Sequence, residues 1–201
     1  LQEYDLAEQY FDQAVDMRKL LNDSYGLISV ELDKAEVLRL KGALDESLTL
    51  FQSIMPRLEA VNDLRGIART HNSVARIYLS KGNYAMGERT ATDAIRLARS
   101  LSLKYEEKEA LKTLSDIYGS KGDYKTAFEN QVKYSNLNYL LFSEEKIRQI
   151  EQLKSQAAIE KQEAEKEILR RQKERQQTIS YLFVAVAFLF LVATFVSYRG
   201  F

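Results

Sequence analysis

Residues Ala75–Ala91, ARIYLSKGNYAMGERTA, decide how the rest of the chain is read, because the pattern recurs forty residues to either side. Ala35–Phe51 reads AEVLRLKGALDESLTLF and Ser115–Gln131 reads SDIYGSKGDYKTAFENQ. Each copy places a small residue (Ala35, Ala75, Ser115) three before a bulky one (Leu38, Tyr78, Tyr118). A Lys-Gly pair follows at 41–42, 81–82 and 121–122, then Leu44, Tyr84 or Tyr124, then a second small residue, Ser47, Gly87 or Ala127. Tyr4, Ala7 and Phe11 continue the pattern one period earlier, and Asn22-Asp23 and Gly26 match Asn62-Asp63 and Gly66.

The repeating unit is a helical hairpin. Glycine after the lysine accepts the left-handed backbone that ends a helix. Asp45, Asn83 or Asp123 stands beside the restart, where a short polar side chain caps the next helix. The paired small residues let two helices approach, and Phe11 or Phe51, four residues on, fills the adjoining groove. The spacing predicts helices over 3–22, 24–41, 44–61, 63–81, 84–101, 103–121 and 124–142. Pro56, the one proline, is expected to kink or shorten the third. One hairpin cannot bury its own apolar stripe, so neighbours must stack.

These residues resemble the tetratricopeptide repeat (TPR). Val74-Ala75-x-x-Tyr78 and Leu114-Ser115-x-x-Tyr118 are similar to its L-G-x-x-Y, and Ala7-x-x-x-Phe11 to its A-x-x-x-F. The resemblance implies an all-α, TPR-like α-solenoid over residues 1–142, one partial and three complete repeats. Forty residues per repeat, against about 34 in the family, implies longer helices. It also implies a concave face lined by the first helix of each pair, with Glu36, Arg39, Arg69, Asn72, Arg76, Lys112 and Asp116 exposed to a protein or peptide partner. Of these, Arg69, Asn72, Arg76 and Lys112 would hold an acidic segment or a C-terminal carboxylate. The competing reading is an ordinary solvated face.

Catalysis finds little material here. The 201 residues carry 29 basic and 29 acidic side chains, so no basic excess points to nucleic acid. There is no cysteine, and His71 is the single histidine, which excludes a His-based triad and a His or Cys metal site. Its register makes His71 a packing residue. The glycines are spaced by repeat turns and form no phosphate loop. The segment is expected to be non-enzymatic and to need no cofactor.

Residues 143–178 change to Glu, Lys, Arg, Gln and Ala. A heptad count gives Ile147, Lys154, Lys161, Ile168 and Arg175 at one seam position, and Ile150, Ala157, Ala164, Arg171 and Thr178 at the other. Two readings follow: a marginal coiled-coil homodimer, or a single charged helix held by pairs such as Glu144–Arg148 and Glu167–Arg171. Residues 179–198, ISYLFVAVAFLFLVATFVSY, are expected to form a transmembrane helix in the same register, with 199–201 opening a truncated segment. This layout is similar to that of bacterial membrane-bound TPR sensor histidine kinases, and to related helix-turn-helix regulators and nucleotide cyclases. The resemblance implies a sensor and relay segment in the cytoplasmic membrane, with a periplasmic array. Arg170, Arg171, Lys173 and Arg175 by themselves favour a cytoplasmic one, as would a tail-anchored scaffold without an output domain.

Overall fold

The computed structural model describes the backbone of residues 2–199 and the side chains of residues 3–188. Among these the chain forms seven α-helices and no strand: α1 (Gln2–Leu20), α2 (Ser24–Lys41), α3 (Leu44–Ala60), α4 (Leu64–Ser80), α5 (Tyr84–Ser100), α6 (Lys104–Lys121) and α7 (Tyr124–Arg199). Two compact units divide at Ser143.

In the first unit, helix ends alternate between two devices, each repeated at forty residues. Gly42 and Gly122 close α2 and α6 with φ of 91° and 82°. The turns after α1, α3 and α5 instead use Asn22, Asn62 and Ser102, with φ of 52°, 54° and 55°. The next residue in the first two turns is the cap: Asp23 and Asp63 accept from Gly26 N and Gly66 N at 2.8 and 2.9 Å. A Cβ on Gly66 would lie 2.6 Å from Asp63 Oδ2 and 2.7 Å from Leu58 Cδ2, so the glycine leaves room for the capping carboxylate. Asn83 and Asp123 cap α5 and α7 at 3.3 and 3.1 Å, as their register predicts. Asp45 does not cap α3, whose N-cap is Ala43 with no side-chain bond; Asp45 pairs with Lys81 instead.

That pairing is itself a repeat. Lys41 reaches Asp5 and Glu8 of α1 at 2.7 and 2.8 Å, Lys81 reaches Asp45 of α3, and Lys121 reaches Glu88 of α5 at 2.6 Å. The lysine of each Lys-Gly pair therefore clamps the end of one helix to the first turns of the helix before it. Small residues then seat the two helices of each hairpin. Ser47 Oγ donates to Ala35 O at 2.6 Å, a Cβ on Gly87 would come 3.3 Å from Ala75 O, and Ser115 Oγ donates to Ala127 O at 2.8 Å. Two cores fill the stack: one around Phe51, Ile54, Leu58 and Ile77, the other around Ala91, Ala94, Leu111 and Ile117. Phe51 is 2% exposed, as its place four residues after the small position predicts.

The expected shortening at Pro56 does not occur. The proline lies inside α3, which keeps 17 residues, the length of α4 and α5. Pro56 and Gln52 are both exposed, on the side of α3 where water can meet the Gln52 carbonyl that has no amide donor at Pro56.

The second unit is the continuation of α7. Its described side chains are exposed apart from Glu145 and Glu167, which are intermediate. Arg171 pairs with Glu167 at 3.1 Å as predicted, whereas Arg148 pairs with Glu145. The expected transmembrane helix over residues 179–198 is not sustained: among the described residues no helix is long and apolar enough to cross a membrane. Residues 179–188 contribute ten positions, about 15 Å at the helical rise, half of a hydrocarbon core of about 30 Å. Residues 189–198 of that stretch, and 199–201, lie outside the described side chains. The all-α class stands without the membrane helix, and the placement in a bacterial membrane falls with it.

Candidate binding groove

The first helices of the three complete hairpins, α2, α4 and α6, lie side by side, α4 touching both neighbours. Two cavities open along them. One, of about 210 Å³, is lined by Glu36, Ala68, Arg69, Asn72, Ser73, Arg76, Tyr105, Glu106 and Glu109. The other, of about 410 Å³, is lined by Tyr25, Ile28, Ser29, Leu32, Asp63, Arg65, Gly66, Arg69, Tyr105 and Glu106. Arg69, Tyr105 and Glu106 belong to both, so the cavities form one groove.

Four of the seven residues expected on the concave face line it: Glu36, Arg69, Asn72 and Arg76. Arg39 is held against Glu36 by two hydrogen bonds, Nε to Oε2 at 3.1 Å and Nη2 to Oε1 at 2.7 Å. Lys112 and Asp116 are exposed on α6 and line neither cavity. Partial desolvation raises the Asp116 carboxyl, against the nearby charges of Lys112 and Arg76.

The arginines of α4 are engaged within the fold. Arg69 Nη2 donates to Asp33 Oδ1 of α2 at 2.8 Å. Arg76 Nη2 donates to Glu109 Oε2 of α6 at 2.7 Å, and its Nε donates to Thr113 Oγ1 at 3.1 Å. Arg65 stands 3.5 Å from Glu106 Oε1. The arginines of α4 are thus stapled to carboxylates of α2 on one side and of α6 on the other. Burial acts to raise the Glu36 carboxyl, but Arg39, the Ser73 hydroxyl and Arg76 outweigh it and hold the group below its ordinary range. Lys108 and Arg76 do the same for Glu109, again against burial. The smaller cavity therefore presents three carboxylates beside two guanidiniums already paired with carboxylates. An acidic ligand would have to displace them. Asn72 is 8% exposed, yet its Oδ1 has no hydrogen-bond partner.

Tyr105, Glu106, Glu109 and Ser73 were not singled out from sequence, although the repeat register held the signal. Positions 36, 76 and 116 read Glu, Arg, Asp, and positions 69 and 109 read Arg, Glu. The charge alternates between successive repeats, which is the pattern of interhelix pairing. His71 is half-buried, and burial lowers its pKa against the charges of Asp93 and Glu59 on α5 and α3. Among the described residues no group of His, Cys, Asp and Glu is placed to hold a metal ion.

No family model and no curated protein matches the chain. Among solved structures it is similar to the crystal structure of BtubC (BKLC) from P. vanneervenii, with a TM-score of 0.59 and 10% sequence identity. The match covers 70% of this chain and 58% of that one, so the chain spans less than two thirds of the length of the structure it resembles. At this identity the likeness is one of fold.

Proposed function

We propose that the chain is a protein- or peptide-binding module of the TPR type, serving as the input half of a signal-transduction protein. The observation that carries the reading is the groove in which two cavities merge through Arg69, Tyr105 and Glu106 along three successive hairpins. Stacked hairpins with such a groove are suited to an extended or helical segment of another protein. The forty-residue repeat of small contacts at 35/47, 75/87 and 115/127 supports the family reading.

The helix past Ser143 supports the second half of the proposal. Ile147, Ile150 and Ile168 stand 57, 51 and 57% exposed on an otherwise charged surface. Pairing with a second copy would cover them, and a seam this poor permits two packings of similar energy. Such a pair would pass occupancy of the groove to an output domain of the kinase, cyclase or helix-turn-helix kind.

A random linear-peptide display library, panned on the full chain, tests the binding reading. Ser29→Trp plugs the groove mouth from an exposed position, and Thr92→Trp on α5 serves as the control. Peptides retained by the native chain and the control should drop by about tenfold or more on the plugged variant, the loss of one good contact region. Equal recovery on all three would overturn the proposal.

A further inference from the structure

We infer that the cavity beside Asn72 receives a basic side chain, lysine or arginine, from the partner; this rests on the peptide-binding reading above and reverses the acidic segment expected from sequence. The cavity, about 210 Å³, has acceptors in surplus. Asn72, 8% exposed, lines this cavity, and its buried Oδ1 is unpaired, a cost in a folded protein that a guest relieves when the amide turns toward it. Glu106 is the second open acceptor. Its side chain is 15% exposed, and Arg65 approaches only to 3.5 Å while remaining 70% exposed itself.

The donors on the walls are spent. Arg69 is bound to Asp33, and Arg76 to Glu109 and Thr113. A carboxylate guest must break one of these pairs and would also face Glu36, Glu106 and Glu109. A lysine or arginine breaks nothing and offers several donors, enough for the Asn72 amide oxygen and the Glu106 carboxylate together. A neutral amide guest would satisfy Asn72 but leave the Glu106 charge with its weak partner.

The test uses synthetic copies of peptides recovered in the groove-dependent display, each position replaced in turn by Lys, Gln or Glu, and titrated against the full chain. One position should prefer Lys over Gln by about tenfold, the worth of one charge-assisted hydrogen bond, and Glu should be the weakest there. Glu106→Gln should reduce the Lys-over-Gln preference to about threefold or less. Asn72→Leu should weaken the Lys peptide more than its Gln counterpart; if that variant fails to fold, Glu106→Gln carries the test alone. Groove-dependent peptides with no basic position, with an acidic optimum, or with a preference untouched by Glu106→Gln would overturn this inference and leave the binding module standing. The absence of any groove-dependent peptide would remove both.

Discussion

Single side chains here act mostly as ties between helices, and Tyr118 shows how such a tie depends on pH. Its hydroxyl donates to Glu88 Oε1 at 2.7 Å, while Lys121, on the same carboxylate, lies 4.9 Å from the ring centroid. Burial, the Glu88 hydrogen bond and the charges of Glu88 and Asp123 push the phenol up to about 12. A raised folded-state pKa contributes stability that is whole below the unfolded value of about 10 and is lost as pH climbs through the folded one. Tyr118→Phe should therefore cost about 1 kcal/mol at neutral pH, one hydrogen bond in a part-exposed setting. The gap between variant and native chain should close between about pH 10 and pH 12. Urea unfolding across that window reads it, and a gap unchanged at high pH would exclude the tie. Lys41 shifts in the same direction because Asp5 and Glu8 bond to it, so alkaline loss in the native chain has more than one source.

At the scale of elements, helix boundaries were legible because termination is local chemistry. Asn-Asp and Lys-Gly mark five of the six turns between helices, and the ends from α1 to α6 fall within a residue or two of expectation. The end placed at residue 142 failed because it rested on a change of composition. No glycine, asparagine cap or proline follows Phe142, so nothing ends α7 there. At Pro56 a strong breaker leaves the helix at full length. An exposed turn can leave one carbonyl to water without losing the helix. Pro56→Ala restores that hydrogen bond and removes the ring's clash with the preceding turn. It should raise stability by about 1–3 kcal/mol, a melting shift of a few degrees in a chain of this size. Calorimetry is the direct measurement. A lowered midpoint would mean that the ring makes packing contacts that alanine loses.

For the whole molecule, the groove was only half legible, since register gives the residues on a face but not their partners. Arg69 and Arg76 were read as free cations because Asp33 and Glu109 lie 36 and 33 residues away in sequence. Only the stacked hairpins bring them together. Stacking also distributes stability unevenly, each hairpin resting on its neighbours. The fully buried side chains concentrate in α2 to α6, whereas α1 has none, and residues 144–188 have none. Amide hydrogen exchange should thus be slowest in α4 and α6 and fast in α1. In residues 144–188 it measures pairing directly. A lone helix held by pairs such as Glu167–Arg171, each worth a few tenths of a kcal/mol, exchanges at a rate independent of protein concentration. Two copies paired along Ile147, Ile150 and Ile168 would instead gain protection by mass action. A tenfold rise in concentration would then slow exchange there by up to about threefold, since the free monomer fraction falls as the square root of concentration. Ile147→Glu with Ile150→Glu should abolish that dependence and leave α4 and α6 untouched. Exchange in 144–188 that ignores concentration in the native chain would rule out the paired helix, and with it the proposed route from groove to output.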